Sequence, residues 1–144
     1  MKKIACLILT LTALASFTGC ATGPQYSTVK NTIPALAPDK GRIYFYRAST
    51  FGAAIQPDVK LNGEVVGTAK CKGVFYVDRV PNSYMIETST EVTRQLSITL
   101  EKGQTRYVRF GITFGFMVGH VYPELVDPAI GEKESLECNF TGGK

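Results

Sequence analysis

From Gly41 onward the apolar residues return at every second position, and that period admits strands and excludes helices for most of the chain. Leu96, Ile98 and Leu100 alternate with Gln95, Ser97 and Thr99, so one side of this segment faces a core and the other faces water. Arg42-Ile43-Tyr44-Phe45-Tyr46-Arg47 is rich in aromatic and β-branched residues and predicts a strand with Ile43 and Phe45 on one face. Ala48 to Pro57 is a loop broken by Ser49, Gly52 and Pro57. Val59 to Leu61 and Glu64 to Gly67 flank Asn62-Gly63, the strongest short hairpin signal, because both turn residues tolerate positive φ. Val74 to Asp78 and Ser83 to Thr88 predict two more strands around a turn at Pro81-Asn82, and Glu101 to Gln104 makes a further turn. Successive strands joined by short polar turns predict an all-β fold, a small antiparallel β-sandwich of immunoglobulin-like or transthyretin-like type over residues 40–140.

Two stretches depart from this pattern. Phe110, Ile112, Phe114, Phe116 and Val118 are bulky, whereas Gly111, Thr113, Gly115 and Gly119 are small. This predicts a bent strand with one bare side, where glycine lets a neighbour approach closely. It is read either as core or as a hydrophobic edge for self-association, Phe110–Gly119. A membrane helix needs about 20 residues and is too long for this stretch. Pro128 to Leu136 predicts one or two helical turns with Pro128 early and Glu132, Lys133 and Glu134 in solvent. Leu136 to Phe140 then closes the sheet, and residues 141–144 form a frayed, disordered tail.

The amino terminus has a different grammar. Met1-Lys2-Lys3 is positive, Ile4 to Leu14 is apolar, and small residues follow at Ala15, Ser16, Thr18 and Gly19 before Cys20. This is the three-part layout of a signal peptide over residues 1–19. Thr18-Gly19-Cys20 resembles the lipobox of bacterial lipoproteins, with Phe17 where that family prefers an aliphatic residue. The resemblance implies cleavage between Gly19 and Cys20 and acylation of Cys20. An ordinary cleaved signal peptide and an uncleaved anchor are the other readings. Each buried methylene stabilises attachment by about 0.8 kcal/mol, so two or three acyl chains make a lasting anchor. Ala21 rather than aspartate follows the cysteine, which by the same resemblance implies the outer membrane, on its periplasmic face, with the inner membrane as the alternative. Residues 20–39 contain Gly23, Pro24, Pro34 and Pro38 without apolar periodicity, and predict a flexible linker.

The formal balance is +4, and loss of Lys2 and Lys3 takes it to +2. The basic residues are scattered, which argues against a nucleic-acid partner. With Cys6 in the signal and Cys20 in the lipobox, Cys71 and Cys138 remain, and in an oxidising compartment two leftover thiols tend to pair. That bridge would close a loop of about 68 residues and stabilise by about 4 kcal/mol. His120 is the only histidine. With Cys71 and Cys138 it matches no short zinc-ligand spacing. No Gly-x-Ser-x-Gly elbow and no phosphate loop occurs. The residues therefore predict no catalytic site, no metal and no cofactor. A periplasmic hydrolase or metal enzyme built on His120 is the alternative. Tyr44, Tyr46, Tyr76, Tyr84, Tyr107 and Tyr122 are read either as interface tyrosines or as ordinary strand residues.

Gly41 to Arg47, Val59-Lys60-Leu61-Asn62-Gly63 and Glu101 to Arg109 resemble the DUF2846 family, and the likeness spans about residues 41–140. The middle of the chain also resembles PEGA-type modules, although Pro81-Asn82-Ser83 stands where those have Pro-Gly. The DUF2846 resemblance implies a small β-sandwich, often on lipoproteins, with no defined catalytic residues. The expectation is a lipid-anchored envelope protein presenting a non-catalytic sandwich, with a membrane and an envelope protein or a second copy as partners.

Overall fold

The computed structural model describes residues 19–144. The signal-peptide reading of residues 1–18 lies outside them. Nine strands form two sheets: β1 Gly41–Arg47, β2 Asp58–Leu61, β3 Glu64–Thr68, β4 Gly73–Arg79, β5 Asn82–Ser89, β6 Thr93–Leu100, β7 Thr105–Thr113, β8 His120–Val126 and β9 Asn139–Gly143. A five-stranded sheet runs β8-β7-β1-β4-β9, and a four-stranded sheet runs β3-β2-β5-β6. The all-β sandwich expected from the alternation is the fold.

The four-stranded sheet is antiparallel, as expected. The five-stranded sheet is mixed, because β1 lies parallel to β7 and β4 parallel to β9. The reason is the route of the chain. After β4 it leaves for the other sheet through β5 and β6, and it re-enters beside β1 already running in the same direction. Asn62 and Gly63 take φ of 50° and 85°, the left-handed pair that a tight hairpin demands.

The core lies between the sheets. Ile43, Phe45, Phe75, Val77, Val108 and Phe110 of one sheet meet Val59, Leu61, Ile86, Ile98 and Leu100 of the other. Phe45 is fully buried and stacks on Phe75 at 5.1 Å and on Phe110 at 6.1 Å. Ring pairs of this kind add about 0.5–1.5 kcal/mol beyond the area they bury.

Every residue of β1 is buried, so its second face is covered too. That face carries Tyr44 and Tyr46, joined by Val74, Tyr76, Tyr107 and Cys138. Tyr44, Tyr46, Tyr76, Tyr84 and Tyr107 are all buried. The interface reading of these tyrosines gives way to an internal one.

The segment 20–39 covers part of the outer face, and Leu136 and Phe140 cover the rest. The segment does not extend as a flexible linker. Tyr26, at the start of the one-turn helix α1 (Tyr26–Val29), is 4% exposed and packs on Tyr44 at 5.8 Å and on Phe140 at 6.2 Å. The Tyr26 backbone N–H donates to Cys138 O, and the Phe140 N–H donates to Pro24 O. One aromatic ring docking on a ready-made tyrosine face needs no periodicity, so composition alone concealed it.

The carboxyl end also departs from expectation. β9 reaches Gly143, and Lys144 exchanges backbone hydrogen bonds with Tyr76 and Asp78, so residues 141–144 belong to the sheet. Helix α2 (Pro128–Ser135) has proline in its first turn as expected, and its Asp127 cap accepts from the Ala129 N–H at 2.9 Å. Glu134 is not left in solvent. It accepts from the Tyr46 hydroxyl at 2.6 Å and from Arg109 at 3.0 and 3.1 Å.

Tyr26→Ala is therefore expected to lower unfolding stability by about 3 kcal/mol in a urea titration. Val80→Ala at an exposed turn should change it by no more than about 0.5 kcal/mol. A free linker would make the two variants equal.

Candidate functional site

Strand direction collects the unusual residues at one end of the sandwich. β1 ends at Arg47, opposite the start of β4 at Gly73. β7 runs parallel to β1, so Thr113 and the start of β8 at His120 reach the same end. The Thr88 hydroxyl donates to Val121 O at 2.6 Å, which brings the end of β5 there as well. The segments 48–57, 69–72, 90–92 and 114–119 thus share this end with Gly19 and Cys20.

Arg47 organises it. The residue is fully buried, and among the described residues no carboxylate pairs with it. Its guanidinium donates to four carbonyls: Ile55 O at 2.6 Å, Ala69 O at 3.1 Å, Phe51 O at 2.6 Å and Gly52 O at 2.8 Å. Burial pulls its pKa down from the ordinary arginine value. The four bonds wrap residues 51–55 around the cation and tie them to the β3–β4 connection. Gln56 extends the tie by donating to Ala53 O at 2.8 Å and to Gly19 O.

Cys20 sits against Cys71, and the two sulfurs form a disulfide. The adjoining backbone is docked as well, since the Ala21 N–H donates to Cys71 O at 2.8 Å and Asn139 Nδ2 donates to Ala21 O at 2.8 Å. The expected pairing of Cys71 with Cys138 is replaced. Cys138 is a free, fully buried thiol whose sulfur faces Glu134 O at 3.8 Å, and burial pushes its pKa up to about 11. Reserving Cys20 for the lipobox leaves Cys71 and Cys138 as the sequence-predicted pair, whereas the docked amino-terminal segment brings Cys20 to Cys71.

His120 is neither alone nor open to solvent, with 13% of its side chain exposed. Its Nε2 lies 3.0 Å from Glu91 Oε2, and its Nδ1 lies 3.3 Å from Arg94 Nη2. Arginine only donates, so Nδ1 accepts and Nε2–H donates to Glu91. Both ring nitrogens are thereby engaged. Cys71 and Cys138 are not brought to this histidine. Glu91 was not singled out in the sequence, and nothing local marks it.

The Glu91 carboxylate also accepts from the backbone N–H groups of Phe116, Met117 and Val118, at 3.1, 2.5 and 2.6 Å. It pins the connection between β7 and β8. This connection replaces the bent strand expected over Phe110–Gly119. β7 ends at Thr113, and residues 114–119 form a turn. β7 is paired on both sides, so it offers no free edge. The close approach expected at glycine is real at Gly111, where the Tyr122 ring lies over the backbone with its Cζ 2.4 Å from the place a Cβ would take. Beyond Thr113 the bulky residues turn outward: Phe114 is 86% exposed, Phe116 98% and Met117 83%. Phe51, held by Arg47, meets Phe114 edge to face at 5.7 Å.

Partial loss of hydration pushes the Glu91 pKa up, and the bonds from His120, Val118, Met117 and Phe116 outweigh it, holding the carboxyl below its usual range. A depressed acid contributes order that is present above its unfolded value of about 4.3 and lost as pH falls through its folded value. Glu91→Ala at neutral pH is expected to speed amide hydrogen exchange at Met117 and Val118, with β1 and β4 unchanged. Acidification of the unsubstituted chain below about pH 4 should do the same. Unchanged exchange at these two amides in the variant would contradict the pin.

An uncharacterized protein of Haemophilus influenzae is 29% identical over 126 residues, which cover 84% of this chain and 75% of the relative. No solved structure matches. Residues 37–121, which hold the Arg47 cage, the Asn62-Gly63 hairpin, Glu91 and His120, match the family described as "Protein of unknown function (DUF2846)", and the chain belongs to the DUF2846 family.

Proposed function

We propose that this DUF2846 chain is an exported envelope protein, held to the outer membrane by lipid on Cys20, whose sandwich serves binding or structure without catalysis. The supporting observation is the run from the charged start through the apolar stretch to Thr18-Gly19-Cys20. Contacts with the folded domain are already present at Cys20 and Ala21, which lie against Cys71. A cysteine that heads the folded domain holds the domain close to whatever the cysteine carries.

One sulfur cannot hold a thioether and a disulfide together. The bridge to Cys71 requires a folded domain, because 51 residues separate the two cysteines. Lipid transfer reads a short motif and needs no fold, so it acts first on the exported chain. Cys71 is then a buried thiol beside the lipidated residue, and the hydrogen bond from Ala21 N–H to Cys71 O keeps the same geometry.

His120 supports a structural role more than a catalytic one. A general base needs a ring nitrogen free to take a proton. Here Nδ1 accepts from Arg94 and Nε2–H is given to Glu91. His120→Gln should therefore leave the sandwich folded, read as an unchanged far-ultraviolet dichroism spectrum, and loosen only the 114–119 turn.

Mass spectrometry of the amino-terminal peptide from the membrane-purified protein tests the anchor. The expected result is a chain beginning at Cys20 with a diacylglyceryl adduct, and Cys71 free to alkylate after denaturation. A Cys20–Cys71 cross-linked peptide pair without lipid would overturn the proposal. Membrane fractions on a density gradient distinguish outer from inner membrane.

A further inference from the structure

The loop end of the sandwich differs from the opposite end in a way the fold does not require. From Ala48 to Pro57 and from Phe110 to Gly119 there is no aspartate, glutamate, lysine or arginine. These two segments present Phe51, Phe114, Phe116, Met117 and Val118 to solvent, at 54, 86, 98, 83 and 43% exposure. Scattered exposed apolar residues are ordinary, but five on two touching loops form a patch, and patches mark contact sites. The opposite end instead carries Lys40, Glu64, Arg79, Glu101 and Lys102.

The patch is held in place. Phe51 rests on the Arg47 cage, and Glu91 ties down three consecutive amides of the 114–119 turn. Pre-ordered apolar residues lose little entropy on binding. The Glu91 carboxylate beside the turn is taken up by those amides and by His120, so it presents no bare charge to an apolar phase.

Two features name the occupant. Cys20, the proposed lipid carrier, lies at this end of the sandwich, where the Ala21 N–H beside it donates to Cys71 O. Lys70 and Lys72 flank Cys71 beside Cys20, suited to anionic headgroups at the margin of the patch.

We infer that the tip formed by Phe51, Phe114, Phe116, Met117 and Val118 inserts into the interfacial region of the lipid bilayer that holds the amino terminus, so that the sandwich stands on the membrane by this end. The inference rests on the lipid-anchor reading for the nearness of that bilayer. Apolar side chains at an interface add affinity in proportion to the area they bury, and together with an acyl anchor they fix orientation as well as attachment.

The chain contains no tryptophan, so one substitution supplies a single indole that can be excited apart from the tyrosines. Phe116→Trp is placed at a nearly fully exposed position that tolerates a larger ring, and Val80→Trp, 53% exposed at the opposite end, is the control. Each full-length variant, purified from membranes and reconstituted in phosphatidylethanolamine–phosphatidylglycerol vesicles with brominated acyl chains, is floated and its emission recorded. The expected result is flotation of both, with blue-shifted emission quenched at least twofold for the residue-116 probe and water-like, unquenched emission for the residue-80 probe. Flotation with an unquenched, water-like probe at 116 overturns the insertion while leaving the anchor standing. A blue shift without bromolipid quenching overturns it in favour of a second copy or another protein on the tip. Failure of both proteins to float overturns the tip and the anchor together. The mass of the amino-terminal peptide reads the anchor separately, so quenching without an adduct supports the tip alone.

Discussion

A buried guanidinium without a counter-ion governs one end of this sandwich. Arg47 is the last residue of the central strand, and its charge is met by four backbone carbonyls rather than by an acid. An isolated buried charge is costly, and hydrogen bonds from neutral dipoles are what make it tolerable. The exchange works in both directions. Residues 51–55 cross the sandwich end without strand pairing; Gly52 O also takes the Ile55 N–H, and Phe51 O and Ile55 O find their donor in Arg47. One planar cation with several N–H groups in a fixed fork satisfies them at once, which a lysine ammonium cannot match in shape. Its Nε finds no partner, so the cage is not fully closed. The position of Phe51, the contact of Gln56 with Gly19 and the edge-to-face meeting of Phe51 with Phe114 all follow from where this loop is held.

The outer face of the same strand sets the other half of the architecture. Tyrosines in place of phenylalanines give that face a packing surface with polar handles, and the handles are used. Tyr46 donates to Glu134 of α2, and Arg42 makes a two-pronged pair with Asp78 at 2.7 and 2.8 Å while lying 4.1 Å over the Tyr76 ring. Arg42 also donates to Pro34 O, which holds the amino-terminal segment down. The side chains of Arg42 and Asp78 are 8 and 18% exposed, so removing either partner would strand a poorly solvated charge. A layer of packed aromatic rings, with Tyr46 bonded to Glu134, thus recruits both chain ends onto one sheet. Cys20 is fixed beside the domain by that layer.

Much of this was legible in the sequence, and the remainder was hidden for specific reasons. Alternation at Leu96, Ile98 and Leu100, the Asn62-Gly63 turn and the early proline of α2 each act through neighbours in the chain, so they read correctly. Tyr26, Cys20 and Glu91 act through residues far away in sequence. Tyr26 lies in a proline-rich stretch whose composition reads as linker, yet one ring on a tyrosine face suffices to dock it. Cys20 was set aside for the lipobox and so left Cys71 to pair with Cys138, which instead lies under the helix on the tyrosine side of the sheet. The alternation through Phe110 and Ile112 is a true strand signal, but it continues by chance of composition into Phe114 and Phe116, where the strand has already ended. Nothing in a one-dimensional pattern distinguishes a bulky residue turned into the core from one turned out at a hairpin tip.

Glu91 explains how such a tip persists. Three successive N–H groups in a turn converge on one carboxylate, the same geometry by which backbone amides bind anions elsewhere. A turn with exposed phenylalanine and methionine would otherwise gain by folding its side chains back onto the sheet and giving its amides to water. Binding those amides to a carboxylate fixes the backbone and leaves the side chains no inward route. His120 and Arg94 complete the arrangement, because a single negative charge beside an apolar patch is best tolerated when its hydrogen-bonding capacity is filled. The apolar display at this end and the polar device beneath it are therefore one structural unit.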